Sequence, residues 1–256
     1  MSLKYCAKCI LPNSRPNLKF DDDGHNCNCA TKDTKVAMNW EERKEKFKRL
    51  VADIKKIESS YNCIIPVSGG KDSTWQVLKA LEFELKPLCV TWRSPARTEI
   101  GYNNLQNLIS LGVDHLDFSI NPTIEKKFAL KAFELKGSPV IPMHMAIHAL
   151  PLKLALAFKI PMVLWGENSA FEYGGSDNEL KGYEITRDWI RKYGATNNTE
   201  VIDWVSEDIS LCDLWPYTVP EAAFEKGGEI RGVFLGQFFK WDPMEVYKEA
   251  RKHGFK

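Results

Sequence analysis

The chain has no basic excess: among its 256 residues, 35 lysines and arginines face 34 acids, a formal charge of +1. Such a surface has no general pull on a polyanion, so no nucleic-acid partner is expected, with only a local patch left open. No leader is expected either. Met1 to Ile10 holds no apolar run of signal-peptide length, and no segment is read as reaching the ~20 apolar residues of a bilayer span. A cytoplasmic chain without a membrane span is expected. Internal repeats and low-complexity tracts are lacking too, which leaves one large domain, or one domain with a small appendage. Apolar residues at 44% and charged residues at 27% suit a soluble globular enzyme.

Cysteine is sparse but clustered. Of seven, four fall within the first 29 residues, as Cys6-x-x-Cys9 and Cys27-x-Cys29. Tetrahedral zinc takes four thiolates, and a short knuckle presents two from one turn. In a reducing compartment this arrangement favours structural zinc over disulfides, with no open position for catalysis. His25 lies nearby but is not needed to complete the shell. Residues 1–38 therefore read as a zinc-binding module and 39–256 as the main domain. Cys63 and Cys89 fall in apolar strand patterns and read as inert core thiols. Cys212 has no clear context.

The main domain opens with a helix capped by Asn39, with Glu42 at the capping-box position. Phe47, Leu50, Val51, Ile54 and Ile57 form one stripe, while Arg43 and the other charges face water. Beyond Cys63, strands alternate with helices. Strands are expected at Cys63–Val67, Leu88–Trp92, His115–Ile120, Pro161–Trp165 and Gly232–Phe239. Helices are expected from about Ser73 to Leu85, and over Asn103–Leu111, Pro122–Leu135 and Met143–Phe158. A last helix is capped by Asp242, with Pro243 in its first turn and Gly254 past its end. The pattern predicts an α/β fold, a doubly wound parallel sheet covered on both faces. The polar, Gly/Asn-rich stretch from Phe171 to about Thr199 reads as an active-site loop or lid.

The strand at Cys63–Val67 runs into Ser68-Gly69-Gly70-Lys71-Asp72-Ser73-Thr74. Glycines bring backbone N–H groups close to an anion, and a following helix N-terminus adds partial positive charge. Ser68 and Ser73 add hydroxyls, Lys71 a full charge, and Asp72 a ligand for magnesium. A Walker A loop is excluded, since Gly70-Lys71 is followed by Asp72. Glu167 and Asn168 follow the fourth strand at the same sheet edge and are candidate magnesium or substrate ligands, with a helix cap as the alternative. His144 and His148 are four apart on an apolar helix without a third ligand, which favours a packed or substrate-facing helix over a metal site. Tyr173-Gly174-Gly175 reads as a turn, near the substrate or not.

The loop resembles the PP-loop of N-type ATP pyrophosphatases. That resemblance implies ATP and Mg2+ held by residues 68–74, and release of AMP and pyrophosphate with a substrate oxygen adenylated in between. It also implies that Thr91-Trp92-Arg93 helps hold the adenosine, although Trp92 reads equally as a core residue.

The whole chain is similar to the N-acetyl sugar amidotransferases of bacterial surface-glycan synthesis, which serve O-antigen (lipopolysaccharide) and flagellin sugars of the pseudaminic type. The resemblance rests on Tyr5-Cys6-Ala7-Lys8-Cys9, Leu11-Pro12-Asn13, Arg15-Pro16-Asn17, Gly24, Cys27 and Cys29. It continues through the loop, Leu164-Trp165-Gly166-Glu167-Asn168, Tyr173-Gly174-Gly175, Phe234-Leu235-Gly236 and Lys240-Trp241-Asp242-Pro243. It implies conversion of an acetamido to an acetamidino group on an N-acetylated sugar or nucleotide-sugar, with Lys71, Asp72 and Glu167 as the catalytic set. Members of the family extend further at the C-terminus, so the main domain is expected to be shortened there. Glutaminase chemistry needs an N-terminal cysteine or a Gly-x-Cys-x-Gly elbow, and neither is present. The resemblance implies a separate glutaminase subunit like that of imidazole-glycerol-phosphate synthase. A tRNA-thiolating PP-loop enzyme is the alternative, and a nonenzymatic nucleotide-binding regulator a further one.

Overall fold

The computed structural model describes residues 3–14, 20–25, 38–167, 184–224 and 230–256. Helix α1 (Trp40–Ile54) starts where Asn39 Oδ1 accepts the Glu42 N–H at 3.1 Å. Phe47, Leu50, Val51 and Ile54 are buried on one face, while Ile57 lies past the helix end and is exposed. Arg43, expected to face water, is instead half-buried and donates to Gln237 Oε1 at 2.9 Å and to the Gln237 carbonyl. A stripe argument places side chains by helix geometry alone and misses a partner nearly 200 residues away.

Strands β1 (Cys63–Pro66), β2 (Pro87–Trp92), β3 (Asp114–Phe118), β4 (Met162–Trp165) and β5 (Arg231–Phe234) form one sheet in the order β3-β2-β1-β4-β5. Every pairing is parallel. Between them run α2 (Lys71–Glu82), α3 (Glu99–Ile109), α4 (Pro122–Lys136) and α5 (Ile141–Phe158), with α6 (Arg187–Tyr193) before β5 and α7 (Pro243–Lys252) after it. Side chains alternate across the strands as the pleat requires. Cys63, Ile65, Cys89, Met162, Leu164 and Val233 join the core that holds α1, α2 and α3, while Ile64, Val90, Val163 and Phe234 join the core that holds α5 and α6. Both faces are covered, and the sheet is the doubly wound parallel one that the alternation of strands and helices predicts.

Strand order reverses between β1 and β4, so the connections leave the sheet in opposite directions there. Open α/β sheets bind ligands at this switch point, outside the strand carboxyl ends.

Helix α5 is long and apolar enough by length and composition to cross a membrane, where the sequence is expected to hold no such segment. Within the fold, 56% of it is buried and it packs on β1, β2 and β4. It is the helix that covers the middle of one sheet face.

Several boundaries differ from expectation: α2 ends at Glu82 rather than Leu85, α3 starts at Glu99 rather than Asn103, and β3 ends at Phe118 rather than Ile120. Strand β5 ends at Phe234 and turns into a 3-10 segment, Leu235–Gln237, rather than running to Phe239. The Gly236 N–H donates to the Gly166 carbonyl at 2.8 Å, and a β-carbon on Gly236 would meet that oxygen at 3.1 Å. The stretch expected as a lid is described only from residue 184. That part holds α6, where Trp189, Ile190 and Tyr193 are buried in the core, so residues 184–199 are structural. Tyr173-Gly174-Gly175 and Asn168 lie outside the described residues, as do Arg15-Pro16-Asn17.

At the N-terminus, the Cys6–Cys9 turn is closed by Cys6 N–H to Leu11 O at 2.9 Å and Ile10 N–H to Cys6 O at 3.0 Å. Lys8 N–H points at Cys6 Sγ, 3.4 Å away. The Ala7 N–H donates to the carbonyl of Gly24, which sits in a turn at φ +75. The segment leading to Cys27 is thereby held against the knuckle; Cys27 and Cys29 lie outside the described residues.

Candidate functional site

A cleft of about 810 Å³ opens at the switch point, over the carboxyl ends of β1, β2 and β4. Its floor comes from the phosphate loop. Gly69 adopts φ +80 and packs so closely on α3 that a β-carbon would come within 2.7 Å of the Leu105 amide nitrogen. Gly is required there twice, for conformation and for space. Ser73 Oγ donates to the Gly70 carbonyl at 3.0 Å and lies 3.4 Å from the Ser68 N–H. Thr74 Oγ1 donates to the same carbonyl at 3.0 Å. Gly70 is the N-cap of α2, and no side chain caps its first turn. The loop thus presents backbone amides and a helix N-terminus to the cleft, the arrangement that receives a phosphate group.

Of the residues expected to form the site, Ser68, Asp72, Ser73, Trp92 and Glu167 line the cleft. Thr74 does not. It is buried, and its hydroxyl is engaged by Gly70, so it shapes the loop. Lys71 sits beside the cleft and turns back on the loop, donating to both oxygens of Asp72 at 2.8 Å. Glu167 is exposed on the opposite wall, next to Gly166. The wall is set by Gln76, buried on α2, whose side-chain amide donates to the Leu164 carbonyl of β4. Gly166 lies against that side chain, with 3.1 Å between Gln76 Oε1 and the position of a Gly166 β-carbon. Gln76 therefore ties the helix after the loop to the strand that delivers Glu167.

Trp92 stands between the cleft and the core. It lines the cleft and also packs against the core cluster of Phe128, Trp204 and Tyr217. On that core side Glu125 is 8% exposed, and burial raises its carboxyl, which the Trp92 indole beside it partly offsets. The opposite wall is apolar and comes from α5, through Met143, Ala146, Ile147, Leu150 and Pro151. Pro151 stands inside the helix and cannot donate to the Ile147 carbonyl. His144 and His148 are not on this wall. His148 Nδ1 lies 2.7 Å from the His144 carbonyl, and burial pushes its imidazole down to about 4. Burial also lowers His144. The pair belongs to packing rather than to a metal.

Sequence reasoning missed two contributors, Arg97 and Gln76, and named Trp241 within a motif without giving it a role in the site. Arg97 lines the cleft from the loop after β2 and forms a two-pronged pair with Asp117 of β3, both contacts 2.7 Å. That pair holds Asp117 below the usual carboxylate range. An Arg and an Asp twenty residues apart carry no signal unless the β2–β3 pairing is known.

The thiols divide as expected. Burial pushes Cys63 far up and Cys89 to about 12, so neither is a nucleophile. Cys212 is exposed and is not among the cleft residues. Cys6 is buried within the knuckle. His25 is turned toward Asp21, with 3.5 Å between Nδ1 and Oδ2. The Cys6–Cys9 turn, with its N–H directed at sulfur, fits half of a thiolate zinc site.

No family model matches the chain, and no curated protein matches it. Among solved structures it is similar to an NH3-dependent NAD synthetase from Campylobacter jejuni, solved with a nitrate ion, at 18% identity and a TM-score of 0.41. That alignment covers 52% of this chain and 59% of the synthetase, so the chain spans less than two thirds of that protein. It is also similar to an NMN synthetase from Francisella tularensis, at 14% identity and TM-score 0.38, covering 73% of this chain and 83% of the other. A third likeness is to a protein from Methanocaldococcus jannaschii described as a predicted subunit of tRNA methyltransferase. There the identity is 15% and the TM-score 0.41, over 74% of this chain and 75% of the other. At these values the likenesses carry no part of the functional argument.

Proposed function

We propose that the chain binds ATP and magnesium in the switch-point cleft and uses them to convert an acetamido group of a sugar into an acetamidino group. The observation that carries this reading is the uncapped N-terminus of α2 behind Ser68-Gly69-Gly70, with Asp72 on the cleft and Lys71 bonded to it. A site that would hold the terminal phosphates at the loop, with the α-phosphate facing the substrate, suits release of pyrophosphate.

The chemistry follows from the weakness of an amide as an electrophile. Its oxygen attacks the α-phosphorus of ATP, the bond to the bridging oxygen breaks, and pyrophosphate leaves. The resulting O-adenylyl imidate is attacked by ammonia at carbon, AMP leaves with the original amide oxygen, and loss of a proton gives the amidine. Lys71 and the α2 amides would stabilise charge on the leaving group, each donor worth ~10²–10³ in rate. Asp72 and Glu167 would hold magnesium, which supplies charge neutralisation at the phosphates. Ammonia would come from a separate glutaminase subunit, and the product would enter lipopolysaccharide O-antigen or flagellin glycans. ATP and sugar precursors are cytoplasmic, which is where this reading puts the protein. The N-terminal module, 1–38, would hold structural zinc through Cys6, Cys9, Cys27 and Cys29.

The thiols oppose the tRNA-thiolating alternative, since Cys63 and Cys89 are buried and Cys212 is away from the cleft. Incubating the protein with ATP, ammonium and a panel of acetamido sugars and their nucleotide derivatives tests the proposal. Mass spectrometry should show exchange of oxygen for NH in one of them. Sulfur incorporation into tRNA, with every sugar unchanged, would replace this reading by the alternative.

A further inference from the structure

Trp241 reaches both charged residues of the phosphate loop from a different part of the chain. Its indole N–H donates to Asp72 Oδ1 at 3.0 Å, and Lys71 Nζ lies 5.1 Å from the centre of its ring. Lys71, Asp72 and Trp241 therefore form a closed set in which every charged or polar head meets the other two. Burial does not account for the position, because the ring is 40% exposed and lines the cleft. The two elements that carry the set are braced against each other. Asp72 is in the first turn of α2, Trp241 directly precedes the Asp242 cap of α7, and α7 packs on α2.

We propose that Trp241 is a positioning residue for the nucleotide's divalent cation, acting through Asp72. The inference rests on the nucleotide reading of the cleft. An exposed aspartate on a first helical turn samples several rotamers. A hydrogen bond to Oδ1 from a ring at the start of α7 selects one and leaves Oδ2, paired with Lys71 Nζ at 2.8 Å, as the oxygen free to take the metal once Lys71 turns to a phosphate. Lys71, bound to both oxygens and to the ring face, can swing to a phosphate while the indole keeps hold of Oδ1. Hydrogen-bond donors that orient a metal ligand typically set 10–100-fold in metal affinity.

The test is fluorine NMR on the full chain labelled with fluorotryptophan, the Trp241 signal being assigned with Trp241→Phe, or with Trp241→Tyr should the first variant not fold. Magnesium with α,β-methylene ATP should move the Trp241 signal, and the nucleotide with chelator should not. Trp241→Phe keeps an aromatic face for Lys71 while removing the N–H donor together with the second ring of the indole. It should raise the magnesium needed for half-maximal nucleotide binding by about 10–100-fold, with an unchanged melting temperature. If the Trp92 signal moves while Trp241 stays still, or the magnesium requirement is unaltered, the positioning role is wrong and the nucleotide site stands. If no tryptophan signal moves in the wild type, the nucleotide reading itself falls and the inference falls with it.

Discussion

The amide nitrogen of Leu105 lies 2.7 Å from the point a β-carbon on Gly69 would occupy, so the phosphate loop and α3 touch backbone to backbone. Gly137 has a similar positive φ, +67, but nothing within 4 Å of its β-carbon position. Comparing the two alanine variants separates strain from collision. Gly137→Ala should cost about 1–2 kcal/mol, the left-handed penalty for an L-residue. Gly69→Ala should cost distinctly more and should also abolish nucleotide binding. Chemical denaturation gives both values, and equal losses would mean that the close approach is not rigid.

Acid sensitivity should centre on His148. Its imidazole is pushed down to about 4 by burial, against an unfolded value of 6.5. Above pH 6.5 neither state binds the proton. Below it the unfolded chain does and the folded one does not, so stability falls progressively toward pH 4 and then levels. The full effect is about 3 kcal/mol. Thermal melts of wild type and His148→Gln between pH 7.5 and 4.5 should converge as pH falls. A constant gap would show that His148 is not the titrating group.

The N-terminal knuckle should hold about one zinc ion per chain. Zinc in isolated finger peptides contributes ~10–16 kcal/mol, so Cys9→Ser should release the ion and loosen residues 3–25 to proteolysis. Elemental analysis without metal, or a Cys6–Cys29 disulfide in protein kept reduced, would contradict this.

Nitrogen should come from free ammonia. The chain carries no cysteine elbow, and its buried thiols at Cys63 and Cys89 are shielded. Ammonium should therefore support turnover by the single chain, and glutamine should do so only with a separate glutaminase present. Efficient use of glutamine by the chain alone would refute the expectation.

The sheet was legible because its central strands are apolar on both faces, as Cys63 to Val67 and Met162 to Trp165 are, and because Gly, Pro and cap residues punctuate the helices. Asn39 and Asp242 cap the helices they were expected to cap. The loop was legible as a contiguous motif. What escaped were relations across the fold. Arg43 reaches Gln237, Gln76 reaches Leu164, and Trp241 reaches Asp72, each through pairings that local periodicity does not encode. Strand β5 is shorter than its sequence suggests because Phe238 and Phe239 continue the apolar run without joining the sheet. Both instead pack around Phe47 of α1, at ring distances of 5.2 Å.

The central claim concerns which bond of ATP is broken, and the nucleotide products decide it. Wild-type protein with magnesium, ATP, ammonium and the responsive acetamido sugar should form AMP and pyrophosphate in step with amidine, and Lys71→Ala or Asp72→Ala should form neither. Sugar-dependent release of ADP and phosphate would contradict the account and make the cleft a kinase site.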